Sequence, residues 1–409
     1  MSIIRIASGV VETFTKTNFV GVLNMQLKGY RRPDGRVGVR NHILIISSVV
    51  CANRTVEMIA AQVPGAIPLT HPHGCAQLGI DKDQTARVLG GFGANPNVAC
   101  ALVVGLGCET VQPDIIAEVI TKTKKTVESI TIQQCGGTLK AVACGAELAA
   151  KMAATAAIQE REEIAWSEIV VATECGGSDT TSGLAANPAC GYASDLVVEA
   201  GGTVILSETM ELVGAEHLLA ERSKTEAIGQ GIYHITHRAE QGAMALGEDI
   251  RGGQPTPGNI AGGLTTIEEK SLGCIYKAGS TKINEVVDYA CAPTQKGLVV
   301  MDTPGHDVES VTGMVAGGAQ LVVFTTGQGT PTGCPIAPVI KVTGNFNTAL
   351  TMADNIDINA GEILQGNATK ESIGNKIYEE YLQVINGKQT KAELFGQRDF
   401  AINRIGPTL

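Results

Sequence analysis

Five cysteines follow short apolar runs of the sequence. Cys51, Cys108, Cys135 and Cys175 each come soon after the end of such a run, and Cys75 closes the segment HPHGC after a fifth run. Thiolates and imidazoles are preferred ligands of iron and zinc, and a thiolate is also a nucleophile. These residue types therefore indicate either a metal site or thiol catalysis.

Cys75, Cys108 and Cys175 each lie beside a glycine in a loop that is predicted to follow a strand. We expect these three to be ligands or catalytic groups, because glycine lets a loop approach a ligand closely. No spacing is CxxC, which disfavours a zinc ribbon. Three thiolates from separate loops could hold an iron–sulfur cluster with one open iron, whereas histidine and carboxylate side chains could hold a mononuclear Fe(II). Most other cysteines are expected to be packing residues, namely Cys100, Cys144, Cys190, Cys274 and Cys291.

Two histidines, His71 and His73, stand two residues apart just before Cys75. In an extended chain their side chains point to opposite sides. One of the two is therefore expected to face the site, unless Pro72 bends the chain.

The most distinctive segment is TECGGSDTTSGLAANPACGYASD, residues 173–195. It places Ser178, Asp179 and Asn187 around paired glycines, and the backbone N–H groups of such a loop could hold a carboxylate. Further on, Glu208 follows another apolar run and Lys341 lies within one. Both are candidate acid–base groups.

The elements that position these residues are short buried strands that alternate with helical patterns. Apolar, β-branched runs recur, for example at 43–50, 101–104, 169–172, 298–301 and 321–324. This alternation predicts an α/β fold of Rossmann-like βαβ units with parallel sheets. We expect two packed domains, residues 1–160 and 161–409, the second ending in a helical segment. The carboxyl ends of parallel strands share one edge, where ligands bind.

Composition excludes several classes of protein. The net charge is -10, and no cluster of Lys and Arg forms the basic patch of a nucleic-acid binder. No stretch approaches the length of a membrane span, and the N-terminus lacks the pattern of a secretory signal. A cytoplasmic protein is expected, in which the eleven cysteines form no disulfide framework. No strand is followed by the GxGxxG fingerprint of a nicotinamide enzyme.

The chain resembles the altronate/galactarate dehydratase family, which also contains the large subunit of sulfolactate sulfo-lyase. The resemblance covers about residues 28–365. The motifs that carry it are GYRRPDGRVGVRN (29–41), the Cys75 segment, GLGCE (105–109), ECGGSD…SGLAANPACGYASD (174–195), SETMELVGAE (207–216), MDTPGHD (301–307), FTTGQGTPTG (324–333) and DINAG (357–361).

The resemblance implies an iron-dependent lyase that eliminates water or sulfite from a 2-hydroxy acid and gives a 2-keto acid. It implies that one residue removes the C2 proton, and the candidates for this base are His73, Glu208 and Lys341. Iron ligands are expected among His71, Cys75, Cys108 and Cys175. Substrate contacts are expected from Arg40, Arg54, Ser178, Asp179 and Asn187, since guanidinium forks suit carboxylates and sulfonates.

Two departures from the family pattern bear on the substrate and the partner. Family members such as altronate dehydratase carry a small β-rich domain where this sequence has only about 28 residues. A separate small SAF-like subunit is therefore expected, together with a homo-oligomeric assembly. The sugar-acid dehydratases tend to have a basic residue at the position of Gln328. A shorter substrate, such as 3-sulfolactate, is therefore an alternative to a sugar acid. The alternative to an enzymatic function is that of a non-catalytic assembly subunit of such a complex.

Overall fold

The computed structural model describes residues 26–409 and contains three sheets. Residues 1–25 lie outside the described part. In chain order the strands are β1 (Leu27–Arg31), β2 (Val37–Gly38), β3 (His42–Ser47), β4 (Ala66–Leu69), β5 (Val98–Gly105), β6 (Thr126–Thr131), β7 (Glu162–Ile164), β8 (Val170–Cys175), β9 (Thr203–Leu206), β10 (Ile283–Val287), β11 (Gly297–Met301), β12 (Leu321–Thr326), β13 (Val339–Thr343) and β14 (Ile358–Asn359).

Helices follow most of these strands. They are α1 (Asn53–Ala60), α2 (Gly79–Ala94), α3 (Pro113–Thr121), α4 (Ile132–Cys135), α5 (Thr138–Ala157), α6 (Asn187–Glu199), α7 (Glu216–Glu221), α8 (Glu226–Ala245), α9 (Ile250–Gly253), α10 (Pro257–Ala261), α11 (Ile267–Ile275), α12 (Asp307–Ala316), α13 (Phe346–Thr351), α14 (Lys370–Ile385) and α15 (Lys391–Leu394). No helix among residues 26–409 is long and apolar enough to cross a membrane.

Two parallel sheets form the two packed α/β domains that the sequence predicts. The first has the order β4-β3-β5-β6, and the second has the order β10-β11-β9-β8-β12-β13-β14. Buried, continuously apolar strands such as β5 and β11 are typical of parallel sheets that are covered on both faces. A small antiparallel sheet, β2-β1-β7, lies at the junction. The boundary predicted at residue 160 falls between α5 and β7 and remains a prediction.

Each parallel sheet reverses its strand order beside its first strand. In the second sheet β8 lies between β9 and β12, so the chain leaves β8 towards one side and later returns on the other. In the first sheet β3 lies between β4 and β5 in the same way. Such a reversal opens a crevice beyond the carboxyl ends of the strands. The residues after β8 and β3 are therefore placed for binding.

Two polar segments, 251–263 and 159–163, contain residues of short helices or of a strand. The Gly/Pro-rich segment 251–263 is not a continuous loop, because α9 and α10 lie within it, and Thr256 caps α10 through its side chain. The charged run 159–163 does not continue a helix, because α5 ends at Ala157 and β7 begins at Glu162.

Candidate functional site

Four buried side chains meet beyond the end of β8. Cys175, the last residue of β8, lies with Glu208, Glu211 and Cys274, and one ligand atom of each is within 4.8 Å of the others. Glu208 and Glu211 follow β9, and Cys274 belongs to α11. The group has the residue types and spacing that could hold a metal ion.

Two lysines neutralise this group. Lys277 is fully buried, forms an ion pair with Glu208, and places its ammonium 2.8 Å from the Cys274 sulfur and 3.2 Å from the Cys175 sulfur. Lys270 pairs with Glu211 at 2.7 Å. The Lys277 ammonium therefore takes the place at which a metal cation would contact the two sulfurs and Glu208.

Burial and charge shift the proton affinities of the group. Burial raises the pKa of Glu208 to about 7, although Lys277 opposes the rise. The hydrogen bond to Cys274, together with burial, raises the pKa of the Cys175 thiol, which keeps it protonated. Burial would also raise the pKa of Glu211, but the ammonium groups of Lys270 and Lys277 outweigh it and lower that pKa. Of the two carboxylates in the group, Glu208 is thus the one whose pKa is closer to neutral pH.

Glu208 has a strained backbone. Its φ of 66° and ψ of 64° lie in the left-handed region, which a residue with a side chain rarely adopts. Its N–H donates to the Thr303 hydroxyl at 2.7 Å, and its carboxylate accepts from the Cys175 N–H at 3.0 Å. These bonds aim the carboxylate at Cys175. Such outliers cluster at functional sites.

A second buried acid stands behind Glu208. Ligand atoms of Glu174, Glu208 and Asp307 also lie within 4.8 Å of one another. Burial, followed by the charges of Glu208 and Asp307, raises the pKa of Glu174 well above its ordinary value. One Glu174 oxygen accepts from the Ser310 hydroxyl at 2.7 Å. The protonated form of Glu174 is therefore favoured, and its carboxyl lies close to that of Glu208.

A cavity of about 230 Å³ opens in front of the group, and Cys175, Glu211, Lys270 and Cys274 reach its wall. Glu208 lies behind Cys175 and is not part of the wall. The arrangement can pass a proton between the cavity and a buried carboxylate.

Three predicted substrate contacts, Ser178, Asp179 and Asn187, also line this cavity. Asp179 accepts from the Thr181 N–H at 2.8 Å, and it shapes its own loop. Asn187 donates to the Gly273 carbonyl and accepts from a threonine hydroxyl, so both ends of its amide are used. Ser178 is thus the best placed of the three to contact a bound molecule.

The predicted metal ligands do not converge on one ion. Cys175 lies in the second-domain group, whereas His71, Cys75 and Cys108 lie beyond the strand ends of the first sheet and belong to no group of three or more close ligand atoms among residues 26–409. His71 is buried, and both ring nitrogens are used, one by the Ser47 carbonyl at 2.8 Å and one by the His73 N–H at 3.1 Å. In this conformation His71 offers iron no nitrogen.

The other candidate bases stand away from the cavity. His73 is half-buried in the first domain, and burial lowers its pKa. Lys341 is buried in β13 and its ammonium has no hydrogen-bond partner within residues 26–409, and burial lowers its pKa to about 8. Neither lines the cavity.

The two predicted arginine contacts differ in their surroundings. Every side-chain nitrogen of Arg40 is bonded, to Glu393 and to backbone carbonyls, so its guanidinium is structural. Arg54 is 78% exposed and, within the described residues 26–409, pairs only with Glu57 on its own helix. Arg54 is the one of the two whose guanidinium a ligand can reach.

The sequence analysis did not single out Lys270 and Lys277, and its assignment of Cys274 to packing is corrected by the position of Cys274 in the buried group. A signal was present, because spacings of four and three place them on one face of a helix. Nothing in the sequence showed that this face packs against the end of β8.

A parallel α/β fold with a buried acid–base group behind a small cavity defines an enzyme site for a small molecule. Two family models match the chain: the D-galactarate/Altronate dehydratase C-terminal model over residues 166–408, and the D-galactarate dehydratase/Altronate hydrolase second-domain model over residues 29–157. The chain belongs to this family, which confirms the resemblance.

Named relatives agree with the family. The chain is 39% identical to the (2R)-sulfolactate sulfo-lyase subunit beta of Chromohalobacter salexigens, over 93% of this chain and 99% of that protein. It is 34% identical to altronate dehydratase of Escherichia coli, over 93% of this chain and 78% of that enzyme. Galactarate dehydratase (L-threo-forming) of Escherichia coli is 35% identical over 88% of this chain and 73% of that enzyme. The chain is a lyase.

Proposed function

We propose that this lyase removes a proton from C2 of a 2-hydroxy acid and expels a group from C3, which gives an enol and then a 2-keto acid. The observation that carries the proposal is Glu208, a buried carboxylate with a pKa of about 7 that lies behind Cys175 at the cavity. A base works best when its pKa is near the operating pH. The names of the relatives support elimination as the reaction.

We propose sulfite as the leaving group and 3-sulfolactate as the substrate. The 39% identity to the sulfo-lyase subunit exceeds the 34% and 35% identities to the two dehydratases. Gln328 gives the glycine loop an uncharged side chain, which is bonded at 2.6 Å to the Gly258 carbonyl. Altronate and galactarate, which would lose water, are the competing substrates.

Proton removal uses Glu208 and Cys175 as a unit. The Cys175 sulfur is 3.7 Å from a Glu208 oxygen, and it separates Glu208 from the cavity. The thiol proton passes to Glu208 while the sulfur accepts the C2 proton. Lys277 stabilises the charge on the unit, and the raised pKa of Glu174 favours its protonated form, so that Glu174 places no second negative charge behind Glu208.

Substrate binding rests on the cavity wall. Lys270 is the cation of the wall, and its ammonium is 2.7 Å from Glu211. Ser178 lines the same cavity. A substrate carboxylate held by these groups places C2 next to Cys175.

Dependence on iron is part of the proposal. When bound, iron would polarise the carboxylate and 2-hydroxyl oxygens of the substrate as a Lewis acid. The Cys175, Glu208, Glu211 and Cys274 group does not fit an iron while Lys277 occupies its centre.

The assembly and location are also proposals. The relative from Chromohalobacter salexigens is called subunit beta, which supports a complex with a small β-rich, SAF-like subunit. A homo-oligomer of that complex is expected. All eleven cysteines are free thiols, which supports a cytoplasmic location.

The test is turnover by the protein purified without oxygen from its source cells, together with any bound partner and with ferrous iron added. Incubation with 3-sulfolactate is expected to release sulfite and a 2-keto acid in equal amounts. A keto acid from altronate or galactarate alone would move the assignment to a dehydratase. No turnover of any of the three would overturn the proposal in favour of an assembly subunit.

A further inference from the structure

Four cysteines lie on four neighbouring loops at the carboxyl edge of the first sheet. Cys51 follows β3, Cys75 follows β4, Cys108 follows β5 and Cys135 ends the short helix after β6. The strands of this sheet are adjacent and parallel, so the loops share one edge. None of these cysteines belongs to the second-domain group.

Backbone hydrogen bonds join each loop to the next. The Val50 N–H donates to the His73 carbonyl at 2.9 Å, which links the loops of Cys51 and Cys75. The N–H groups of Thr110 and Val111 both donate to the Gly74 carbonyl at 3.0 Å, which links the loops of Cys75 and Cys108. These bonds therefore fix the backbone segments beside Cys51, Cys75 and Cys108 relative to one another.

A buried carboxylate anchors the Cys108 loop. Glu109 is 3% exposed and accepts from the Ser48 hydroxyl at 2.7 Å and from the Gly107 N–H at 2.6 Å. Ser48 belongs to the loop that carries Cys51. Holding a charged group in the interior is costly unless its hydrogen bonds are made. Glu109 therefore acts as a fixed support for two thiol-bearing loops.

Glycines immediately before Cys75 and Cys108 allow this close approach. Gly74 has a φ of 105°, and a β-carbon there would lie 2.2 Å from the Ser48 carbonyl oxygen. Gly107 has a φ of 126°, and a β-carbon there would lie 2.5 Å from a side-chain oxygen of Gln133. Residues with side chains rarely adopt these angles. The two glycines therefore allow the loop conformations that present Cys75 and Cys108.

The thiols of Cys51, Cys75 and Cys108 are exposed. Free cysteine is among the most buried residue types, so three exposed thiols on one rigid edge are not explained by packing. Cys135 is only partly exposed, and Cys144 stands beside it and contributes to its raised pKa after burial. Cys135 is therefore set apart from the three.

We propose that Cys51, Cys75 and Cys108 hold an iron–sulfur cluster and leave one of its irons open. Cluster thiolates bind different irons, so they stand farther apart than ligands of a single ion, which agrees with their absence from the close groups among residues 26–409. Cys51 replaces Cys175 in the ligand set expected from the sequence. The proposal rests on the proposed function only for the presence of iron.

In the test, the intact parent protein and its variants are purified without oxygen and reconstituted with ferrous iron and sulfide. Bound iron, acid-labile sulfide, visible absorbance and electron paramagnetic resonance are then measured for each protein. The parent protein is expected to hold matching iron and sulfide. Cys51→Ser, Cys75→Ser and Cys108→Ser are each expected to lower both about tenfold. Cys144→Ser, an exposed cysteine outside the three loops, and Cys175→Ser are expected to retain both.

Retention of the cluster by Cys51→Ser, its loss in Cys175→Ser, or iron without sulfide in the parent would overturn the proposal. Circular dichroism of every variant separates loss of the cluster from loss of the fold. Turnover by a protein free of iron and sulfide would overturn both the cluster and the dependence on iron, and would leave only the elimination reaction of the proposed function. A parent with the cluster but without turnover would overturn the function and leave the cluster.

Discussion

At the residue scale, Glu208 combines a strained backbone conformation with a fully buried side chain whose pKa is near neutral pH. We predict that Glu208→Gln lowers kcat about 10²–10⁴-fold, because the amide cannot accept the proton. Turnover of 3-sulfolactate measures the effect. Glu199→Gln, at an exposed position at the end of α6, is the matched control and should keep the parent rate. A Glu208→Gln protein with the parent kcat would remove Glu208 from the mechanism.

The pH profile is a second prediction for the same residue. Burial raises the pKa of Glu208 to about 7, so the carboxylate is protonated and inactive as a base below that pH. The plot of kcat/KM against pH should rise about tenfold per unit below about 7 and level off above it. Lys277→Met should move this limb to higher pH, because the ammonium favours the ionised carboxylate. A limb that stays in place in Lys277→Met contradicts the pairing.

A substitution of Arg40 is expected to lower the stability of the protein, in contrast to the catalytic effect expected at Glu208. Its guanidinium is 2.7 Å from Glu393 and is otherwise bonded to carbonyls. Arg40→Ala should lower the free energy of unfolding by about 3 kcal/mol, since it leaves a mostly buried carboxylate without its partner. Denaturant unfolding measures this loss. Arg54→Ala, at an exposed pair, should change stability by less than about 1 kcal/mol. Equal losses in both would refute the structural reading of Arg40.

At the element scale, the short helix α10 covers the glycine loop after β8. Asn259 of α10 donates to the Ser178 carbonyl at 2.8 Å, and Gln328 holds the Gly258 carbonyl. We predict that Asn259→Ala raises KM about fivefold with little change in kcat, because one buried hydrogen bond no longer positions Ser178. Steady-state kinetics tests this. A fall in kcat with an unchanged KM would place α10 in the chemistry instead.

The strands were the most predictable elements. Runs of β-branched and apolar residues marked β3, β5, β8, β11 and β12, and their boundaries shifted by only a few residues. Because parallel strands end at one edge, the sequence also placed Cys175 and Glu208 beyond strand ends. It did not show which strand ends share a site, since that depends on which strands are neighbours in each sheet.

Helix α2 shows why other elements could not be predicted. Gly90, Gly91 and Gly93 lower its helix propensity, so this helix could not be predicted from local preference. The glycines are explained by packing, because a β-carbon at Gly90 would lie 2.7 Å from Val119 and one at Gly91 would lie 2.5 Å from the Ala316 carbonyl oxygen. Tertiary contact with α3 and α12 therefore outweighs the local preference.

At the scale of the whole molecule, the two domains contribute residues to a common hydrophobic cluster. Leu44 and Phe92 of the first domain belong to the same cluster as Ile205 and Phe324 of the second. Buried Asn97 crosses the junction and donates to the Gln320 and Ile336 carbonyls, at 2.9 Å each. The two sheets are therefore joined by apolar and polar contacts alike.

We predict a single calorimetric unfolding transition, which Asn97→Ala shifts to lower temperature without splitting it. The lost bonds leave buried carbonyls unsatisfied, at a cost of about 3 kcal/mol. Asn367→Ala, at an exposed position, is the control and should not move the transition. Two resolved transitions in the parent protein would show that the domains unfold independently.

The end of the chain returns to the first domain. Thr408 bridges to Gln77, the Leu409 N–H donates to the Ala76 carbonyl at 2.9 Å, and the N–H groups of Ile405 and Gly406 donate to the buried Asp81 carboxylate. The loop that carries Cys75 is thus completed by residues more than three hundred positions away in sequence. A chimera that exchanges the first domain between two family members must therefore transfer residues 401–409 with it, or the grafted cysteine loop will lack its own supporting segment.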